Sequence, residues 1–305
     1  MYDIIVIGAG AAGMTSALYA LRNGKTVLVL ESESLGGQIA TSPKLENFPS
    51  LKEISGEKFA DNLYEQIVDL GAEVEIEKAV KIEKTDGKFC VKTEYNEYFA
   101  LSVIIAAGVK HKHLKTNRED LVGKGVYYCA ICDGAFYKGK EVAVIGDGNT
   151  ALQYALLLAG YCKKVYVYTL FDKFFGDARL VKALRAKENI EVRPNTSVVN
   201  FIGDDCLSAI EYKDKEGSLC RHEIPAVFVA IGQIPDNKAF SNLVDLDNDG
   251  YIIADETCKT KTEGLFVAGD CRTKAIRQVA TACADGAVAA TNASIYLESL
   301  EVELN

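Results

Sequence analysis

The sequence predicts an α/β protein in which one βαβ-based domain is inserted into another. Three observations carry the prediction. The chain opens with a strand, a glycine turn, a helix and a second strand; the same order returns near its middle; and buried-type apolar strands come back only toward the end. At 305 residues the chain is about twice the usual single-domain length, so each domain is long enough to bury its own core.

The first unit runs from a strand at Ile4 to Ile7, through a glycine turn, into a helix from about Ala11 to Asn23. Gly24 stands where a helix is commonly stopped, and a strand from Thr26 to Leu30 follows. The stretch from Val74 to Val103 reads as short strands with a turn at Asp86-Gly87, as in an antiparallel insertion. The second unit has a strand at Glu141 to Ile145, a glycine turn, a helix from about Asn149 to Ala159, Gly160, and a strand at Lys164 to Tyr168. A second antiparallel stretch, Val198 to Glu223, comes next. The apolar segments VFVAIG, from Val227, and GLFVAGD, ending at Asp270, return to strand, and an Ala-rich helix from about Ala275 to Leu297 closes the chain. Both units are thus Rossmann-like, three-layer ββα nucleotide-binding domains. Residues 1–113 and 243–305 form the first, and residues 114–242 form the inserted second.

Apolar residues make up 49% of the chain and charged residues 25%, which is ordinary for a soluble globular protein. A net charge of -9 and a pI near 5.1 oppose a polyanion-binding surface, so nucleic acid is not an expected partner. Seven of the nine cysteines are scattered singly, which is not the pattern of a secreted disulfide scaffold. The apolar N-terminus lacks a basic start and is interrupted by Gly8, Gly10 and Gly13, so it reads as folded structure and not as a signal peptide. A cytoplasmic protein is expected, with no membrane span, since no run of eighteen apolar residues occurs.

Gly8-x-Gly10-x-x-Gly13 lies between strand and helix, with Ala11 at the helix start and Glu31 at the end of the next strand. Glycines there let the backbone turn tightly and approach a pyrophosphate, while the helix N-terminus supplies N–H groups and the positive dipole end. Glu31 is placed to accept a hydrogen bond from a ribose hydroxyl, so a dinucleotide is expected. The second chemical motif is Cys129-Ala130-Ile131-Cys132-Asp133-Gly134. Two cysteines separated by two residues can close and reopen as a small disulfide ring, and such motifs commonly carry a lowered thiol pKa. Zinc would need four ligands, and no second CxxC or CxxH pair is present.

Taken together, these segments resemble the low-molecular-weight thioredoxin reductases along nearly the whole chain. In that family GGQI (Gly36 to Ile39) and ENFP (Glu46 to Pro49) lie along an FAD. Asp270 resembles the acid that binds the ribityl chain, and Arg277-Gln278-Val279 the segment near the flavin ring. The resemblance therefore assigns FAD to Gly37, Gln38, Asn47, Ala107, Gly108, Gly269, Asp270, Arg277, Gln278 and Val279, beside the glycine turn, Ala11 and Glu31. It also implies a homodimer that reduces thioredoxin. Cys132 would be the flavin-proximal thiol, Cys129 the thiol that attacks the partner disulfide, and Asp133 the acid that protonates a leaving thiolate or flavin adduct. Because the dithiol and the flavin fall in different domains, the resemblance implies domain rotation as a step of turnover.

The second glycine loop departs from this pattern. Family members that use NADPH hold its 2′-phosphate with a His-Arg-Arg triplet and a further Arg. Here Thr169, Leu170 and Phe171 occupy the triplet positions and Phe175 that of the further Arg. Each charge-assisted contact is worth about 1.5–3 kcal/mol, so losing two lowers affinity on the order of a hundredfold or more. NADH fares no better, since the strand end carries no acid for a free 2′-hydroxyl and Asp172 comes three residues late. Gly146-x-Gly148-x-x-Ala151 is retained, yet Asp147 puts a carboxylate in a loop meant for pyrophosphate. Lys173 or Arg179 could serve a diverged nucleotide site.

An FAD domain and a CxxC beside a dismantled pyridine site resemble the ferredoxin-dependent flavin thioredoxin reductases, which makes ferredoxin the expected donor. Docking such an acidic partner would need a local basic patch: Lys110, Lys112, Lys115 and Arg118, or Arg179, Lys182, Arg185 and Lys187. Three alternatives stay open: an NAD(P)H-dependent thioredoxin reductase, a flavin-dependent dithiol oxidase, and a non-catalytic redox sensor. Finally, Asp245-x-Asp247-x-Asp249-Gly250 with Glu256 matches the EF-hand spacing. The strand-like residues after it and the Asp249-Gly250 turn signal favour a hairpin over a calcium loop, and no metal is expected.

Overall fold

The computed structural model describes residues 1–42, 45–114, 116 and 118–303. The chain falls into two compact units, Met1–Lys110 with Ile234–Asn305, and His111–Gln233. The second border lies at Gln233, ahead of the expected 242, because the residues just after it belong to the outer unit's core. Phe240 and Val244 are buried there, and Asn237 Nδ2 donates to the carbonyls of Gly250 and Cys271.

The outer unit contains β1 (Tyr2–Ile7), α1 (Ala11–Arg22), β2 (Val27–Leu30), α2 (Gly56–Asp69), β3 (Glu73–Glu75), β4 (Ala79–Thr85), β5 (Lys88–Thr93) and β6 (Glu97–Ile105). The inner unit lies between two short border strands, β7 (Lys110–His111) and β16 (Gln233–Ile234). It contains β8 (Val126–Tyr127), α3 (Ala130–Asp133), β9 (Glu141–Ile145), α4 (Asn149–Leu158), β10 (Lys164–Tyr168), α5 (Ala178–Arg185), β11 (Ile190–Arg193), β12 (Ser197–Gly203), β13 (Leu207–Lys213), β14 (Leu219–Glu223) and β15 (Val227–Val229). The outer unit then resumes with β17 (Leu265–Val267) and α6 (Val279–Glu303).

In the outer unit β3, β2, β1 and β6 run parallel, and β17 adds beside the end of β6 with Leu265 opposite Val103. The long β6 also turns the sheet antiparallel, pairing with β5 through its first half while β5 pairs with β4. At the β4–β5 hairpin Asp86 and Gly87 both adopt positive φ, the geometry a two-residue hairpin turn prefers. Alternation along β1 sends Ile4 and Val6 to the face covered by α1 and α6, and Ile5 and Ile7 to the other. The inner unit repeats the plan. Its parallel sheet, ordered β11-β10-β9-β15-β8, puts Val142, Val144, Val165 and Val167 against α4, while Ala143, Ile145, Tyr166 and Tyr168 face the core shared with the antiparallel β12-β13-β14 sheet. The expected α/β class, with helix, parallel sheet and antiparallel strands in each unit, is the observed one.

Two segments differ from expectation. The last helix begins at Val279 and not near Ala275, because residues 274–278 are held by side chains instead of helical bonds. Lys274 Nζ donates to Asp285, and Gln278 accepts from Asn47 Nδ2 at 2.9 Å. After Gly250 the strand-like stretch makes isolated bridges, Leu246 to Ile252, Ile252 to Arg272 and Lys259 to Phe266, in place of a continuous strand. Among the described residues no helix is long and apolar enough to cross a membrane.

Candidate functional site

The first glycine turn has the close backbone packing that a dinucleotide cradle requires. Gly8 has φ +106°, and a Cβ there would sit 2.3 Å from the Ala106 carbonyl oxygen. At Gly13 a Cβ would fall 1.8 Å from the Gly8 oxygen, so only glycine lets α1 lie this close to β1. Gly10 caps α1 in extended conformation, and Ala11 is its first residue. Glu31 is buried, its Oε2 accepting from Ala9 N–H at 2.7 Å and its Oε1 from Glu33 N–H at 3.0 Å. The carboxylate thus holds the loop itself, and a carboxylate has acceptor capacity left for a ribose hydroxyl.

Several distant segments meet this turn. Gly36 N–H donates to Ala9 O, and Gly37 packs on Gly10, where its added Cβ would lie 3.3 Å from the Gly10 Cα. Gln38 Nε2 reaches the Val109 carbonyl, next to Ala107 and Gly108 at the end of β6, while Asn47 ties to Gln278 just before Val279 opens α6. Gly269 approaches Ala12 on α1, and Arg277 lies over the Tyr251 ring with Nε donating to the Asp270 carbonyl. Asp270 Oδ1 is buried and has no hydrogen-bond partner among the described residues. Burial raises the Asp270 carboxyl above its ordinary pKa, against the pull of Lys274 and Arg277. An orphaned buried acceptor beside a glycine cradle fits a hydroxyl-bearing dinucleotide such as FAD.

Beneath Asp270 lies a cluster that motif reading missed. Asp285, buried on α6, receives Arg272 through two hydrogen bonds of 2.9 and 2.8 Å, Lys274 Nζ at 2.8 Å and the Gly269 N–H at 3.0 Å. Burial alone would raise the Asp285 carboxyl; the bonds from Arg272 and Lys274 reverse this and hold it below the ordinary value. Gly286, next in the helix, lets α6 cross α1 closely, since a Cβ there would meet Ala12 O at 2.4 Å. The available signal was an acid and a glycine inside an otherwise apolar, Ala-rich helix.

In the inner unit Cys129 and Cys132 are joined as a disulfide, with Cα atoms 5.5 Å apart. Cys129, half-buried, caps the short α3, and its Sγ accepts from the Cys132 N–H at 3.2 Å; Cys132 is exposed. Ala130 is fully buried in the core that includes α4, and Gly134 fits where a Cβ would strike Tyr161 Oη at 2.3 Å and Leu158 Cδ2 at 2.8 Å. These two small residues seat the motif. Asp133 is half-buried, and burial raises its carboxyl pKa, which keeps its proton to higher pH than an ordinary aspartate.

The second glycine loop keeps its backbone form, with Gly146 at φ +142° and Gly148 capping α4 in extended conformation with open space beside it. Its rim is apolar. Leu170, Phe171 and Phe175 are 59%, 50% and 56% exposed, and the two phenylalanine rings meet edge to face at 5.3 Å. The Phe175 N–H donates to the Asp147 carbonyl, which fixes the aromatic segment at the loop, while Thr169 is buried and donates to the Phe171 carbonyl. Lys173 lies over the Phe175 ring, 4.9 Å from its centre.

Of the two expected basic groups, the first is partly paired with acids. Lys110 pairs with Asp236, Arg118 pairs with Asp120, and Lys115 lies outside the described residues; Arg179, Lys182, Arg185 and Lys187 are exposed on and after α5. The EF-hand-like acids are otherwise engaged. Asp245 pairs with Lys261, Asp247 Oδ1 accepts from the N–H groups of Asp249 and Tyr251, and Glu256 pairs with Arg272. Among the described residues no cluster of three or more His, Cys, Asp or Glu side chains could hold a metal ion.

The chain matches the family model described as pyridine nucleotide-disulphide oxidoreductase over residues 2–286. A thioredoxin reductase of Treponema pallidum (strain Nichols) is 37% identical over 303 residues, covering 98% of each chain. The crystal structure of Lactococcus lactis thioredoxin reductase superposes with a TM-score of 0.95 at 32% identity, covering 98% of this chain and 100% of that one. A ferredoxin-flavin thioredoxin reductase from Clostridium acetobutylicum superposes with a TM-score of 0.55 at 28% identity, covering 99% of both chains.

Proposed function

We propose, for a chain that belongs to the pyridine nucleotide-disulphide oxidoreductase family and within it is an FAD-containing thioredoxin reductase, that reduced ferredoxin and not NADPH supplies the electrons. The observation that carries the proposal is the rim of the second glycine loop. Leu170, Phe171 and Phe175 put exposed apolar surface where a 2′-phosphate needs cations, and Asp147 adds a carboxylate to the loop.

Bound FAD supplies a two-electron carrier that can be filled one electron at a time. Gly8, Gly10 and Gly13 would seat its pyrophosphate, Glu31 a ribose, and Asp270 a hydroxyl of the ribityl chain. Two electrons, with two protons, open the Cys129–Cys132 disulfide to a dithiol. The Cys129 thiolate then attacks one sulfur of the thioredoxin disulfide, breaking that bond and forming a mixed disulfide. Attack by Cys132 on Cys129 sulfur releases reduced thioredoxin and restores the original ring. Asp133 supplies a proton to a departing thiolate, a role its raised pKa suits. Assembly as a homodimer and rotation between the two units belong to the same proposal.

A second reading, an NAD(P)H-dependent enzyme, is favoured by the intact turn at Gly146 and the open space beside Gly148. Anaerobic mixing of the oxidised flavoprotein with reduced ferredoxin, NADPH or NADH separates the two, with flavin absorbance and thioredoxin thiols followed together. Bleaching and thiol production with ferredoxin alone are expected. Rapid, saturable bleaching by low NADPH would falsify the ferredoxin assignment. Cys129→Ser or Cys132→Ser should abolish thioredoxin reduction and leave FAD bound.

A further inference from the structure

We propose that Asp285 is the positioning residue of the FAD site: by gathering Arg272, Lys274 and the Gly269 N–H, it keeps the neighbouring Asp270 carboxylate unpaired and available to the cofactor. The inference rests on reading Asp270 as an acceptor for FAD. The buried cations Arg272 and Lys274 and the acids Asp270 and Asp285 share this small region, with the exposed Glu256 and the half-buried Arg277 at its edge. Arg272 is 1% exposed, and only 5% of the Lys274 side chain is accessible, so each cation needs a carboxylate within reach. Both choose Asp285. Its Oδ2 accepts Arg272 Nε, Lys274 Nζ and the Gly269 N–H, and its Oδ1 accepts Arg272 Nη2.

The arrangement does two things for residue 270. The Gly269 N–H bond anchors the turn immediately before it, where Gly269 takes φ +80°, and Arg277 holds the Asp270 carbonyl from the other side. With the backbone pinned at both ends the carboxylate has a defined direction. The second effect is electrostatic. Lys274 is close enough to Asp270 to influence its ionisation, yet it donates to Asp285 and to the Thr281 carbonyl. Without the Asp285 charge, Lys274 would turn to the nearest remaining anion and occupy the Asp270 acceptor that is left open.

The test compares FAD retention in holoprotein variants, read as flavin fluorescence released on dilution, with melting at saturating FAD as the measure of folding. Asp285→Asn keeps the shape and an acceptor for Gly269 but loses the charge. Its FAD dissociation constant should rise about tenfold to a hundredfold, the worth of one charge-assisted hydrogen bond. Adding Lys274→Met should bring the constant back to within about threefold of the parent, because the freed cation is gone. A purely structural role for Asp285 would not be rescued by removing a second side chain. The double variant removes one charge of each sign, so it decides the matter even where Asp285→Asn alone fails to fold. Parental affinity in a folded Asp285→Asn, or a folded double variant that still binds weakly, overturns the inference. Asp270→Asn tests the premise separately. If it weakens FAD and Asp285→Asn does not, only the positioning role fails; if Asp270→Asn binds FAD normally, the premise fails and the inference with it.

Discussion

Gly134→Ala adds a single methyl group to the backbone directly after Asp133 and should disable the dithiol. The added Cβ would lie 2.3 Å from Tyr161 Oη and 2.8 Å from Leu158 Cδ2, the first about 1 Å inside ordinary van der Waals contact. Leu158 is a flexible contact that can yield. The tyrosine ring is stiffer, so the motif must move away from α4 or the ring must leave its half-buried place. Overpacking of this kind costs about 1–3 kcal/mol. For a unit of this size that lowers the melting temperature by about 4 °C per kcal/mol. A displacement near 1 Å at reacting sulfurs costs about a hundredfold in rate. Tyr161→Phe removes the struck atom and leaves the ring carbon 3.5 Å from the new Cβ, so Gly134→Ala with Tyr161→Phe should recover most of both losses. Thermal unfolding and the rate of thioredoxin thiol production measure the two effects. Parental stability and rate in Gly134→Ala, or no recovery in the double variant, would refute the packing argument.

Gly13→Ala should yield protein without flavin absorbance, because its Cβ would lie 1.8 Å from a backbone oxygen that cannot swing aside; normal FAD content would contradict the cradle. Burial raises the Asp133 pKa, so its acid form is lost only as pH climbs through that raised value, and turnover should fall along the same limb. In Asp133→Asn this alkaline limb should vanish from the pH profile along with most activity, and an unchanged profile would remove Asp133 from proton transfer. Leu170→Arg with Phe171→Arg, both at exposed positions, should tighten NADPH on the order of a hundredfold by titration, and no gain would mean that the missing charges are not what excludes it. Millimolar calcium should leave the melting curve unchanged, since Asp245, Asp247 and Glu256 already have partners; a clear upward shift would show that the loop binds the ion.

Much of the architecture was legible because its signals are local. A strand, a glycine turn and a helix stopped by Gly24 follow from backbone freedom and apolar spacing within a few residues, and so does the Asp86-Gly87 hairpin. The same holds for the spacing of Cys129 and Cys132, and for the uncharged residues at 169–171, where the absence of cations is itself the information. The EF-hand spacing was legible too, but spacing cannot reveal that Lys261 and Arg272 claim two of its acids. Family resemblance extended the reading to residues with no local signal, such as Asn47 and Gln278, which the fold brings to 2.9 Å across 231 positions of chain.

By itself, then, the sequence determined the α/β class, the two glycine turns, the cysteine ring and the apolar rim, because each depends on neighbours along the chain. Only the tertiary structure decided that the inner unit ends at Gln233, that the last helix starts at Val279, and that Asp285 gathers two buried cations below Asp270. Those outcomes depend on which of several acids a buried cation can reach, and on how closely two helices approach. Both are properties of packing in three dimensions.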